Sequence, residues 1–375
     1  MSLNLYRRYT FVILFLSTAV YCFAQDPTFS QFDPNQLYYN PAYAGYKKEA
    51  RIEMTYRNLW PNVPGKVFPG PLSTYSATGD AYFNIQNKFT GGAGAYVMQD
   101  VEGQGYLTTT SAGVFYSQHM PSIRAFRDDK NQPARFDIYA GFKVYYNHSH
   151  IDWSRFVFSD QLNPNYGITG PSSFNQDHLS QRDYFDFDFG VLVRNNFQAK
   201  GRWINELGFA MGHVLTPIIS ITGSNSDITR LPRKYTATYR ANIAITENRF
   251  YIGPTIMFEN QGKFYETLAG IDFYFRMSRK FETVPLSIGI YDRFSEILKN
   301  QITGQPKVNT SALIVSVTHK GNIPNGRNPL GYSVGFSVDF PYMGLGMQTA
   351  GAYEITLGLL IPYKKSDVMK CFFEM

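Results

Sequence analysis

Cysteine is nearly absent: the 375 residues hold only Cys22 and Cys371. The first falls inside an N-terminal leader, so the mature chain keeps one thiol and no intrachain disulfide can form. Charge is scarce too. Asp, Glu, Lys and Arg make up 17% of the chain, against about 25% in an ordinary soluble domain. The net charge of +6 is modest, and no basic run argues for nucleic acid as a partner. After the leader, no apolar run is long enough for a membrane-crossing helix. Nor is there a G-x-S-x-G, a phosphate-cradling glycine loop or a dinucleotide fingerprint. No catalytic residue and no cofactor is expected, and the chain reads as a non-enzyme. In NHSHID, His148 and His150 with Asp152 lack a third and fourth ligand at a defined spacing. Asp183, Asp186 and Asp188 come without an EF-hand loop. Solvated strand ends and a polar lumen wall account for both groups better than a metal does.

The leader itself is plain. Arg7 and Arg8 precede an apolar core, TFVILFLSTAV from Thr10 to Val20, too short to span a bilayer and suited to a secretory signal. Cleavage after Ala24, with Cys22 at the −3 position, leaves Gln25 as the new N-terminus. The competing lipoprotein reading would acylate Cys22, but Tyr21 is bulky for the position before such a cysteine.

What the chain does have is aromatic side chains, 28 Tyr and 31 Phe against 3 Trp, set in a period of two. In RFDIYAGFKVYYN, Phe136, Ile138, Ala140, Phe142, Val144 and Tyr146 fall on one side, opposite Asp137, Tyr139, Gly141, Lys143, Tyr145 and Asn147. YFDFDFGVLVR sets Phe185, Phe187 and Phe189 against Asp186 and Asp188, and YTATYRANIAI and GYSVGFSVDF repeat the pattern with Arg240 and Asp339 on the polar side. Successive strand residues face opposite ways. Charges between packed sheets would be costly, whereas a wet barrel interior keeps them solvated. Export, aromatic richness and alternation therefore predict an all-β, antiparallel transmembrane β-barrel of the outer membrane. Strands are expected near 49–58, 73–85, 91–99, 105–117, 135–147, 184–195, 203–213, 233–246, 249–259, 263–276, 284–293, 310–319, 331–340 and 350–361, about fourteen in all. Tight turns are expected at ENRF and NQGKF, and external loops at 122–133, 148–182 and 220–232. The expected layout is a signal at 1–24, an extended plug segment at 25–48, the barrel at 49–361 and a tail at 362–375.

The segment Gln25 to Gly45, QDPTFSQFDPNQLYYNPAYAG, is broken by proline yet dense in rings. Asp33-Pro34 and Asn40-Pro41 bias the backbone away from regular helix. Phe29, Phe32, Leu37, Tyr38, Tyr39 and Tyr43 would each forfeit about 1.5–3 kcal/mol if left in water. They should pack against the periplasmic mouth or inside the lumen, as a plug or a docking lip.

Three stretches carry a family resemblance. They are Phe29-Ser30-Gln31, Tyr39-Asn40-Pro41-Ala42-Tyr43-Ala44-Gly45, and EARIEMTYRNLWP with Arg51, Tyr56, Arg57 and Trp60. Ser73, Tyr75 and Asp80, then Asp100, Gly103, Gly105 and Thr108, continue the match, and Glu354 lies in the closing strand AGAYEITLGLL. Together they resemble the PorP/SprF family of type IX secretion system membrane proteins. Relatives often carry Ser-His before that glutamate, where this chain has Ala352-Tyr353, and 128–325 matches in pattern only. The resemblance implies an outer-membrane barrel of Bacteroidetes-type bacteria, set in outer-membrane lipid. Its implied partners are type IX machinery and a large protein with a C-terminal sorting domain, gliding adhesins included. Phe29, Tyr39, Asn40, Pro41, Tyr43, Arg57 and Trp60 are then the candidate partner-docking residues. Two rival readings are a channel for small hydrophobic molecules, which needs a continuous apolar path, and an adhesion scaffold working through its loops.

Overall fold

A computed structural model describes residues 26–61, 72–85, 89–103, 106–127, 133–163, 165–168, 170–173, 181–196, 203–221, 229–246, 249–275, 286–297, 308–323, 330–343 and 351–361. The expected signal at 1–24, Gln25, and the tail at 362–375 with Cys371 lie outside the described residues.

Strand follows strand along the chain. The first nine are β1 (Ala50–Leu59), β2 (Leu72–Ile85), β3 (Phe89–Glu102), β4 (Leu107–His119), β5 (Ile123–Arg127), β6 (Pro133–His150), β7 (Leu162–Asn163), β8 (Gly167–Ile168) and β9 (Gln181–Asn196). The rest are β10 (Trp203–Gly212), β11 (Lys234–Thr246), β12 (Phe250–Gln261), β13 (Phe264–Phe275), β14 (Leu286–Ile297), β15 (Val308–Ile323), β16 (Leu330–Met343) and β17 (Ala352–Ile361). Each barrel strand pairs antiparallel with its chain neighbour, β1 pairs with β17, and β4 pairs with β6, so the fourteen barrel strands close into a ring. Among the described residues, β5, which hangs on β6, and the short β7–β8 ribbon stand outside the closed ring of fourteen strands.

Every expected strand is present, and several run longer. The one expected at 135–147 spans Pro133–His150, and the one at 310–319 spans Val308–Ile323. Alternation in sequence reports contact with lipid, while the hydrogen-bond ladder continues past the membrane surface. Ala50 opposite Ile361 marks the end where the chain enters and leaves the barrel. The long connections 151–180 and 213–233 lie at the opposite end, which is therefore the extracellular one. Parity of the strands corrects one expectation: 122–133 follows an inward-running strand, so it lies at the periplasmic end, where β5 pairs with the start of β6.

The faces sort as alternation predicts. Phe142, Val144, Tyr146, Phe185, Phe189, Val334, Phe336 and Phe340 are exposed to the outside. Lys143, Asp186, Asp188, Arg240 and Asp339 point inward and are buried. Rings gather at both ends of the outer wall, with Tyr56 4.9 Å from Tyr75 at the outer end and Phe250 5.1 Å from Phe275 at the inner. These are the two aromatic girdles of an outer-membrane barrel.

Candidate functional site: the filled lumen

The N-terminal segment occupies the lumen. Phe29, Phe32, Leu37, Tyr39 and Tyr43 are buried there and form, with Tyr96, Tyr139 and Tyr145 of the wall, the main apolar cluster of the molecule. The segment is more compact than its prolines alone suggested. One helical turn, Gln36–Tyr39, ends at Asn40, whose extended backbone is what a following proline requires. A 3-10 turn, Pro41–Tyr43, follows, and the Asn40 Oδ1 caps it by accepting the Ala42 N–H at 2.9 Å. Phe29 meets Tyr38 edge-on at 5.0 Å and receives a hydrogen bond on its carbonyl from the Tyr39 hydroxyl at 3.2 Å.

The wall holds this segment chiefly by its main chain, in three layers. In the outer half, Glu354 accepts the N–H groups of Ser30 and Gln31 at 2.6 and 3.0 Å and pairs with Arg57 Nη1 at 3.5 Å. Asp339 lies beside it, pairing with Arg57 at 3.0 Å and Arg293 at 2.9 Å and accepting the Ser30 hydroxyl at 2.6 Å. Arg293 also donates to the Phe29 carbonyl at 2.7 Å. Near the inner end, Asp80 accepts the Gly45 N–H at 2.7 Å and pairs with Arg51 Nε at 2.5 Å, and Arg51 donates to the Tyr43 carbonyl at 3.2 Å. Ser117 donates to the Ala42 carbonyl at 3.1 Å. Hydrogen bonds to charged groups contribute roughly 1.5–3 kcal/mol each.

Between these layers Asp33 meets Arg240 at 2.7 Å, Lys320 at 3.4 Å and Lys47 at 3.9 Å. Burial alone would raise its carboxyl, but the Lys47, Arg240 and Lys320 charges outweigh that and hold it well below the usual carboxylate range.

Close approach of backbone to backbone needs glycine. Gly45 has a φ of +67°, and a Cβ on Gly92 would sit 2.1 Å from the Ala44 carbonyl oxygen. A Cβ on Gly190 would sit 2.0 Å from the Asn40 Oδ1.

At Asp26 the segment reaches the outer rim. Asp26 pairs with His213 Nε2 at 2.8 Å and with Lys234 at 3.7 Å, and His213 Nδ1 lies 2.7 Å from Asp186. Burial would lower the His213 pKa, but Asp26 and Asp186 outweigh it and push it up to about 10. The stabilisation is thus complete below the ordinary value of 6.5 and is lost as pH rises through about 10. A spin label at Pro27 is expected to gain mobility between about pH 7 and about pH 11 as His213 discharges. An unchanged spectrum would show that this ion pair does not hold the end.

Of the residues expected to dock a partner, Phe29, Tyr39, Asn40, Pro41, Tyr43 and Arg57 come together here, buried between segment and wall. Trp60 stands apart at the outer end of β1, its N–H donating to the Gly351 carbonyl at 2.6 Å. Asp26, His213, Arg293 and Lys320 were not singled out from the sequence, and Asp33 was named only as the residue before Pro34. Their one signal was charge on an inward strand position or beside a proline. The possible ligand groups disperse: His148 pairs with Asp183 on the outer surface at 2.7 Å, while Asp186 and Asp188 face inward. Among the described residues, no three His, Cys, Asp or Glu side chains are grouped to hold a metal. Two cavities flank the segment, about 160 Å³ toward the outer end and about 50 Å³ toward the inner.

A family model described as type IX secretion system membrane protein PorP/SprF matches residues 22–359. No curated protein matches the sequence. Among solved structures, a Pseudomonas aeruginosa FadL homologue is 11% identical with a TM-score of 0.46, over 88% of this chain and 94% of that one. The P. putida toluene transporter TodX is 8% identical with a TM-score of 0.41, over 87% and 93%. These two likenesses concern the fold alone.

Proposed function

The chain belongs to the PorP/SprF family of type IX secretion system membrane proteins, and from that premise we propose that it serves secretion as a plugged accessory barrel. It is an outer-membrane component of type IX secretion. In this reading, it assists the export or surface retention of a large protein with a C-terminal sorting domain, gliding or adhesion proteins among them. The barrel acts without catalysis, through its rims and loops. One observation carries the proposal: residues 26–46 fill the lumen and are held there by the Asp33–Arg240 ion pair and by hydrogen bonds from their main chain to buried charges of the wall, so the barrel is not itself the conduit for a large cargo. A channel for small hydrophobic molecules would need a continuous apolar path, whereas the interior presents Arg51, Arg57, Arg240, Arg293 and their carboxylates.

An in-frame deletion, followed by mass spectrometry of surface and culture-fluid proteins, tests this. At least one sorting-domain protein should vanish from the surface. Loss of a single large protein would mark a dedicated partner, and loss of all of them a core component. An unchanged secretome would overturn the proposal.

A further inference from the structure

We infer that the cavity on the outer side of the segment is a binding site for one sugar ring, free or at the end of a glycan. The inference is independent of which protein the barrel serves. The space measures about 160 Å³, and a cavity of about 150 Å³ accommodates a six-membered ring. Pro27 and Tyr38 of the segment bound it on one side, and inward residues of β3, β4, β6 and β9 on the other. Most charges around it are matched already. Lys143 pairs with Asp188, Lys234 with Glu259 at 3.0 Å, and His213 with Asp26 at 2.8 Å. Three groups are not. Asn147 is 2% exposed, and its Oδ1 accepts the Ser111 hydroxyl, but its buried Nδ2 has no acceptor among the described residues. A buried donor left unpaired is costly. Asp100 and Glu102, two positions apart on β3 and within hydrogen-bond reach of each other, line the same space. Among the described residues no cation pairs with either.

These groups select the ligand. Met98 is the ladder partner of Ser111, and Ser111 of Asn147. The amide therefore stands two strands away from the carboxylates of β3, about 10 Å at the usual strand spacing. A ligand that meets both must donate at one edge and accept at the other, and a hydroxyl does either. Tyr184, the ladder partner of Asn147, is half-buried at the same space. The electron-rich face of its ring suits the C–H face of a sugar. Other chemistries fit worse. A purely apolar ring would leave Asn147, Asp100 and Glu102 unmatched. An anion would meet two carboxylates, and a simple ammonium would give the Asn147 donor no acceptor. Glu102 is exposed at the outer end of β3, so the site faces the cell surface.

Saturation-transfer NMR on the purified full-length barrel tests this. The probes are free glucose, galactose, mannose and N-acetylglucosamine, and separately the oligosaccharide released from the cell's own lipopolysaccharide. Transfer to the ring C–H protons of at least one sugar is expected. Affinity should fall about tenfold or more in Asn147→Leu and in Asp100→Ala. It should be unchanged in Ser316→Ala, which lines the inner cavity instead. Binding of a free sugar supports a soluble ligand, and binding of the oligosaccharide alone supports a glycan end. Should Asn147→Leu not run as a folded barrel on a gel, Glu102→Ala, at an exposed position, takes its place. No transfer to any sugar, equal binding by wild type and variants, or transfer to the diamine cadaverine and to no sugar would each overturn the inference.

Discussion

Replacing Glu354 with alanine is expected to unseat the N-terminal segment while leaving the barrel folded. This carboxylate is fully buried and is the shared acceptor for the Ser30 and Gln31 N–H groups, with Asn35 Nδ2 at 3.3 Å and Arg57 beside it. Truncation leaves two backbone donors and part of a guanidinium unpaired, a loss of about 3–5 kcal/mol for a buried pair. At about 1.4 kcal/mol per factor of ten, the seated fraction falls by roughly two to four orders of magnitude relative to the open one. The β1–β17 ladder, in which Glu354 is the partner of Arg57, is made by backbone and survives. Cells carrying Glu354→Ala should become sensitive to a large hydrophilic antibiotic that the wild-type outer membrane excludes. Glu354→Gln should fall between, because its amide oxygen still accepts but no longer neutralises Arg57. Unchanged resistance in Glu354→Ala cells with normal barrel levels would remove this residue from the account.

A single methyl group at Gly190 should have a comparable effect by a different route. The added Cβ would lie 2.0 Å from the Asn40 Oδ1 and 3.1 Å from the Pro41 Cδ. Both atoms belong to the capped turn that fits the segment to β6 and β9, and Asn40 Nδ2 also donates to the Val191 carbonyl at 3.1 Å. Overpacking costs about 1–3 kcal/mol where a core can shift. Here the thing most able to shift is the segment, since the wall is locked in a closed ladder. Gly190→Ala should therefore expose residues 26–46 to protease in a barrel that still runs as folded on a gel. Gly79→Ala is the matched control, because its Cβ would meet nothing nearer than 3.7 Å. Equal protease resistance in the two variants would contradict the tight fit at Asn40.

Much of this architecture was legible in the residues. The period of two located all fourteen strands and told inside from outside. Tyr139 and Tyr145, which alternation placed among the polar residues, do point inward, where Tyr145 lies 4.5 Å from the Lys143 ammonium. The opening motif was recognisable as something that must pack, and its resembling residues prove to form two clasps, Ser30, Gln31, Arg57 and Glu354 in the outer half and Gly45, Arg51 and Asp80 near the inner end. What alternation cannot convey is what an inward residue touches. Arg293 and Lys320 look alike in sequence, yet one reaches the Phe29 carbonyl and the other Asp33. Loop composition likewise says nothing about which side of the membrane a loop occupies. The parity of the preceding strands settles that, which is why 122–133 was assigned to the wrong end.

The most direct test of the central claim is the conductance of purified barrels in a planar bilayer, full-length against a chain lacking residues 26–46. Closure of the lumen by its own N-terminal segment predicts a near-silent full-length protein and a steady open conductance once the segment is gone. A full-length barrel that conducts as freely as the shortened one would contradict it, and the small-molecule channel would then become the better account of what this protein does.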